Sequence, residues 1–210
     1  MISLPEPRTF PAWSSIADGV RQYNQTPFRG TTFGEIDAGL WERAKAFTNR
    51  QPADFAVEEL QDWIWAVKKW GSIQVVWHSD KVYMAQALRT IRFPEDHSKW
   101  TTSQKADWAF TAVCGLSRAG KEAGVHYYHL SWASKILHWM LPELVPVYDA
   151  LIRAYLGYGS RAGEQVYRGV VDWEHELASR LTEHRGEIVG DVEPTALLRA
   201  IDKFLWIRSK

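Results

Sequence analysis

Apolar residues recur at helical spacing through most of this chain, and that pattern divides it into a series of helices. Ser15 is placed to cap a short first helix running to about Tyr23, which NQTPFRGTT then breaks at Pro27 and Gly30. Ile36, Leu40, Ala44 and Phe47 form the stripe of a second helix that stops before Gln51-Pro52. Asp54 reads as the N-cap of a third, with Val57, Leu60, Ile64 and Val67 on its buried face and Gly71 at its end. IQVVWH at 73–78 is the one strand-like run, without a partner run to make a sheet. Further helices are expected over Asp80–Arg92 and from Thr102 or Ser103 to about Gly120. Beyond the segment 131–156, a charged helix spans 161–185, GDVEPT breaks it, and an amphipathic helix from Thr195 to Ile207 closes the chain. The expectation is an all-α fold of about nine helices in 1–210, as a single domain or as two lobes around a cleft near 126–153.

The segment SWASKILHWMLPELVPVYDALIRAYL, from Ser131 to Leu156, interrupts this regular pattern. Its first helix is almost wholly apolar, but Ser131, Ser134, Lys135 and His138 fall at i, i+3, i+4 and i+7, on one stripe. That stripe faces solvent or a polar cleft. Pro142 ends the helix, and Pro146 pushes Val145 toward an extended conformation. Asp149 then falls in the first turn of the next helix, where the dipole and free N–H groups favour a carboxylate. The plain reading is a first-turn acid paired with Arg153; the functional one is a fixed carboxylate that stabilises a cation or activates water.

Composition narrows the class. Of the 210 residues, 46% are apolar and 24% charged, the mix of an ordinary globular protein. Twenty-five basic residues balance twenty-five acidic ones, which argues against a protein that coats nucleic acid non-specifically but leaves room for a local basic cleft. The single cysteine, Cys114, excludes an internal disulfide and points to a reducing, cytoplasmic compartment. MISLPEPRTF lacks the layout of a signal peptide, and no run is long and apolar enough to span a membrane. Two histidines, His126 and His129, stand three apart without a third ligand, so no metal or other cofactor is expected. RAGKEAG at 118–124 lacks the phosphate-loop pattern. The twelve tryptophans are core filler or stacking surfaces for flat ligands.

Val145-Pro146-Val147-Tyr148-Asp149, with Ile152 following, resembles the proline–aspartate turn of the helix-hairpin-helix DNA glycosylase superfamily, which includes endonuclease III and the adenine-mismatch glycosylases. The resemblance covers about 30 residues. It implies a compact helical fold, DNA as the partner, and Asp149 as the catalytic carboxylate in base release. Members that also cut the strand carry a lysine nucleophile 18 residues before the aspartate; Ser131 stands there, which resembles the members that only release the base. Lys135, one turn on, would contact phosphate or attack the sugar in a shifted register, or is simply a surface lysine on a buried helix. The family's glycine-rich hairpin is replaced by GVHYYHLS, so His126, Tyr127, Tyr128 and His129 would take over its phosphate contacts. Ser131, Ser134, Trp132, His138 and Arg153 complete the implied nucleic-acid surface, with Arg161 and Arg168 as further basic rim. The alternative is a non-catalytic helical module that binds nucleic acid or protein.

Overall fold

Local sequence signals account for most helix boundaries in the computed structural model, which describes residues 9–71, 78–125, 130–189 and 196–209. Among them are ten α-helices: α1 Trp13–Gln25, α2 Phe33–Ala44, α3 Val57–Gly71, α4 His78–Leu88, α5 Thr102–Ala123, α6 Leu130–Met140, α7 Ala150–Tyr155, α8 Glu164–Arg180, α9 Arg185–Val189 and α10 Leu197–Arg208. The fold is all-α. Short 3₁₀ turns over Lys45–Phe47, Pro52–Asp54 and Thr182–His184 extend or link the helices.

Two starts are reciprocal caps. Thr32 accepts the Glu35 N–H while Glu35 accepts the Thr32 N–H, and Thr101 and Gln104 do the same ahead of α5. Two expected caps are corrected. Ala12, not Ser15, occupies the N-cap of α1, with no side-chain bond. Asp54 closes the Pro52–Asp54 turn by accepting the Gln51 N–H at 2.8 Å, and Glu59 takes the Ala56 N–H at the head of α3. In α5, Gly120 lies inside the helix, and Gly124, at φ 116°, ends it. The expected helix over 161–185 is instead α8, a 3₁₀ turn and α9. The strand-like run lies outside the described residues except for His78, which opens α4.

The break after α1 is a miniature antiparallel hairpin, β1 Pro27–Phe28 and β2 Thr31–Thr32, with Phe28 paired to Thr31. Its two central residues, Arg29 and Gly30, both have positive φ, 50° and 86°. That is the two-residue turn whose twist matches the strands, and glycine or asparagine is the usual choice at both positions.

The buried residues make one continuous cluster from Ile16 near the start to Leu205 near the end. Helix α1 lies along α10, so the two ends of the described chain pack together, while α5 touches α4, α6 and α8. Of the large apolar side chains, Trp13 and Trp65 are exposed; Trp63, Trp132, Trp139 and Trp173 are core. None of the described helices is long and apolar enough to cross a membrane.

Close helix packing at α1 and α10 depends on Gly19. A Cβ there would sit 2.9 Å from the Phe204 ring and 3.1 Å from the Phe204 Cα, and backbone cannot give way as a flexible side chain can. Gly19→Ala is expected to destabilise the protein by about 1–3 kcal/mol, read as a lower urea midpoint with unchanged m-value.

Candidate functional site

The chain between α6 and α7 is buried although it is not helical: Pro142 and every residue from Leu144 to Tyr148 are shielded from solvent. Each buried backbone group there needs a partner. The polar stripe of α6 supplies several. His138 Nδ1–H donates to the Val145 carbonyl at 2.6 Å, and Ser134 Oγ accepts the Tyr148 N–H at 3.0 Å while donating to the Ser131 carbonyl at 3.0 Å. His175 of α8 donates from Nε2 to the Leu144 carbonyl at 2.8 Å. Leu141 O accepts the Leu144 and Val145 N–H groups, and Pro146 has none to satisfy. The stripe is therefore divided: Ser134 and His138 grip the turn that carries Asp149, while Lys135 faces a polar cleft.

Both histidines must be neutral to sit here. Burial, reinforced by the Arg199 charge, holds His138 down at about 3, and burial holds His175 at about 4.

Asp149 is the N-cap of α7. Its Oδ1 accepts the Leu151 N–H at 2.9 Å and the Ile152 N–H at 3.0 Å. Its Oδ2 lies 3.7 Å from Lys135 Nζ, a loose pair in which Lys135 is 10% and Asp149 22% exposed. The expected pairing of Asp149 with Arg153 involves the backbone instead. Arg153 donates from Nε to the Asp149 carbonyl at 3.3 Å and from Nη1 to the Arg161 carbonyl at 2.7 Å, and its guanidinium stands over the Tyr148 ring.

Lys135 and Asp149 open onto a cleft of about 610 Å³. Tyr23 of α1, Phe28 of the hairpin, Phe33 of α2, Trp70 of α3 and Trp206 of α10 supply ring walls, and Arg199 and Asp202 of α10 line it as well. Beneath it, Asp37 of α2 is fully buried and takes donors from three other helices. Arg199 reaches its Oδ2 with Nε at 3.1 Å and Nη2 at 2.5 Å, Lys203 Nζ lies 3.3 Å from the same oxygen, and Trp70 Nε1 donates to Oδ1 at 2.9 Å. The Tyr23 hydroxyl donates to Oδ1 at 3.3 Å and accepts from Arg199 at 2.8 Å. Arg199 also binds Asp202, and its guanidinium lies about 5 Å from the centroids of the Tyr23, Trp70 and Trp139 rings.

This cluster perturbs its members in opposite directions. Burial raises Asp202 to about 6 against the pull of Arg199. It lowers Lys203 to about 8 against the pull of Asp37. Glu174 of α8 is fully buried, neither of its oxygens has a hydrogen-bond partner among the described residues, and burial together with Asp202 and Asp149 raises it well above the carboxylate range. Burial opposes the charge of Arg199, but Asp37, Tyr23 and Asp202 outweigh it.

Several sequence-based assignments change. Trp132, Ser134 and His138 are interior: Trp132 packs over Gly120, and the other two serve the buried turn, so none offers a surface to nucleic acid. Ser131 is half-buried and is not among the residues lining the cleft. Arg168 is engaged by Asp107 at 2.6 Å and Asp172 at 2.8 Å, away from the cleft. His126, Tyr127, Tyr128 and His129 lie outside the described residues. Among the described residues no cluster of potential ligands could hold a metal. Sequence reasoning missed Asp37, Arg199, Asp202, Tyr23, Trp70 and Trp206. One signal was present: Asp37 stands three residues before Leu40, on the buried stripe of α2, where a carboxylate needs a partner.

The molecule is thus an all-α protein with a ring-walled cleft over a core of paired charges. The chain belongs to DUF6308, a family of unknown function whose model matches residues 17–209. No curated protein and no solved structure matches it.

Arg199→Ala is expected to cost about 3–5 kcal/mol, because it leaves the Asp37 carboxylate buried without its main cation; chemical denaturation measures it. His138 gives a pH-dependent counterpart. Its folded value, about 3, lies below the unfolded 6.5, so unfolding takes up a proton between them, and its stabilisation is lost as pH falls through that window. Asp202 and Glu174 shift in the opposite sense but are common to wild type and variant. The penalty of His138→Ala is thus expected to be about 3 kcal/mol at pH 7.5 and to shrink by about 2 kcal/mol at pH 5 in urea titrations.

Proposed function

We propose that this cleft accepts a base turned out of a nucleic acid and that Asp149 promotes its release by hydrolysis of the N-glycosidic bond. The observation that carries this reading is the setting of the Asp149 carboxylate. One oxygen is pinned by two N–H groups at a helix start, and the other faces a cleft walled by flat rings, with Lys135 3.7 Å away. A volume of about 610 Å³ falls in the ordinary range of small-ligand sites and accommodates a nucleobase with its sugar.

In such a reaction the C1′–N bond breaks with its electron pair leaving on the base, and positive charge develops on the sugar. A carboxylate held in a part-buried site stabilises that charge more than one in water and needs no reorganisation to do so. Water then adds at C1′ and loses its proton, for which Asp149 is the adjacent acceptor. Ring faces such as Trp70 and Trp206 give a flipped base the stacking it loses on leaving the helix. Lys135 keeps the carboxylate oriented through their loose pair, which an entering substrate can separate.

The second reading, a non-catalytic helical binding module, draws on the same cap: a helix-start carboxylate with a lysine nearby requires no reaction to explain it. One substitution separates the two. Asparagine caps a helix as well as aspartate does, so Asp149→Asn is expected to keep the fold within about 1 kcal/mol and to keep nucleic-acid affinity. Base release, screened over duplexes carrying damaged and modified bases, is expected to fall at least ~100-fold. Release at the wild-type rate in that variant, or no release by the wild type from any duplex of the panel, rules out the catalytic reading.

A further inference from the structure

A second groove, of about 510 Å³, runs alongside the cleft and shares Phe28, Phe33 and Trp70 with it. Its charged lining is of one sign: Arg29 from the hairpin turn, Arg43 from α2 and Lys69 from α3. All three side chains are exposed. The acids on the neighbouring elements do not line it. Glu35 accepts from Thr31 and Thr32, and Glu42 pairs with Lys45 at 2.6 Å. Asp62 lies two turns before Lys69 on the same face of α3 and does not line the groove, although Arg43 donates to its backbone carbonyl at 3.3 Å. Arg29 holds φ at 50°, in a turn where glycine or asparagine would be relaxed, so the chain carries a large cation at a backbone position that disfavours it. Past Lys69, the basic surface continues around Trp65, an exposed ring with the ammonium groups of Lys81 at 4.0 Å, Lys68 at 4.8 Å and Lys69 at 5.5 Å from its centroid.

We infer that this groove holds the phosphodiester backbone of a nucleic-acid strand beside the nucleotide whose base occupies the cleft. The inference rests on the proposed function of the cleft and names where the rest of that substrate lies. Three facts favour a polyanion with flat groups over an acidic peptide. The cations are strung over a hairpin and two helices rather than gathered at one point; the Phe28, Phe33 and Trp70 side chains line both groove and cleft, so the two are continuous; and Trp65 is an exposed ring among lysines. The chain has zero net charge, so a one-signed groove is a local feature and not a consequence of overall basicity. It also supplies a grip that does not require a glycine hairpin.

The test is binding of the intact protein to a fluorescently labelled oligonucleotide, as duplex and as single strand, over a range of salt. The test variant is Arg29→Gln/Arg43→Gln/Lys69→Gln; a control carries Lys121→Gln/Arg180→Gln/Arg185→Gln, the same charge change at residues that line neither groove. Removing three cations that each meet a phosphate should weaken binding at least ~10-fold at moderate salt and reduce the slope of log affinity against log salt by about 2–3, with the control near wild type. Equal losses of affinity in both variants, no measurable binding by the wild type, or wild-type affinity for a sulfated polysaccharide equal to that for the oligonucleotide would overturn the assignment. Failure of the catalytic reading is visible separately. If Asp149→Asn and wild type both bind and neither releases a base, the groove stands as a binding site and the chemistry does not.

Discussion

Asp37, through one buried carboxylate, ties four helices to one another. Its carboxylate, wholly buried on α2, collects Arg199 and Lys203 from α10, Tyr23 from α1 and Trp70 from α3. An unpaired carboxylate at that depth would cost several kcal/mol, so these helices are held to the one arrangement that brings all the donors to it. The desolvation of Arg199 is offset in the same way, by two carboxylates and by three ring faces at about 5 Å. Such a cluster adds little net stability compared with an apolar core, but it penalises every misaligned packing of α10. That helix is buried without interruption from Leu197 to Leu205, although it reads as amphipathic.

The same rule, that buried polar groups must be partnered, explains the α6–α7 connection. A buried non-helical turn exposes carbonyls that no helix satisfies. His138, Ser134 and His175 meet its polar groups, and the turn thereby becomes stiff enough to present Asp149 in one orientation. The cleft inherits its geometry from both devices: the turn positions Asp149 against Lys135 of α6, and the Asp37 cluster positions Tyr23, Trp70, Arg199 and Asp202. Its walls come from segments as far apart as residues 23 and 206. The adjoining basic groove reuses three of the same rings, so the cleft and its charged margin form one surface built on α2, α3 and the hairpin.

The sequence alone carried the helical class and the positions of most helices, because a 3.6-residue period, prolines and glycines act within one or two turns. It also placed Asp149 at a helix start, since Pro146 and the following apolar run are local signals. It located α6 and its polar stripe, and Lys135 does face a cleft, but the buried turn held by Ser134 and His138 was not legible: polar residues on one side of a helix look the same in sequence whether water or a buried turn lies opposite. The capping of α1 and α3 failed for a similar reason, as Ser15 and Asp54 are good cap residues whose neighbours took other hydrogen bonds. That Asp37, Arg199, Asp202 and Lys203 are interior emerges from three-dimensional packing, because a charge can be buried only where its partner arrives, and Arg199 stands 162 residues from Asp37. That long-range pairing, invisible to any local window, is what sets the cleft beside Asp149.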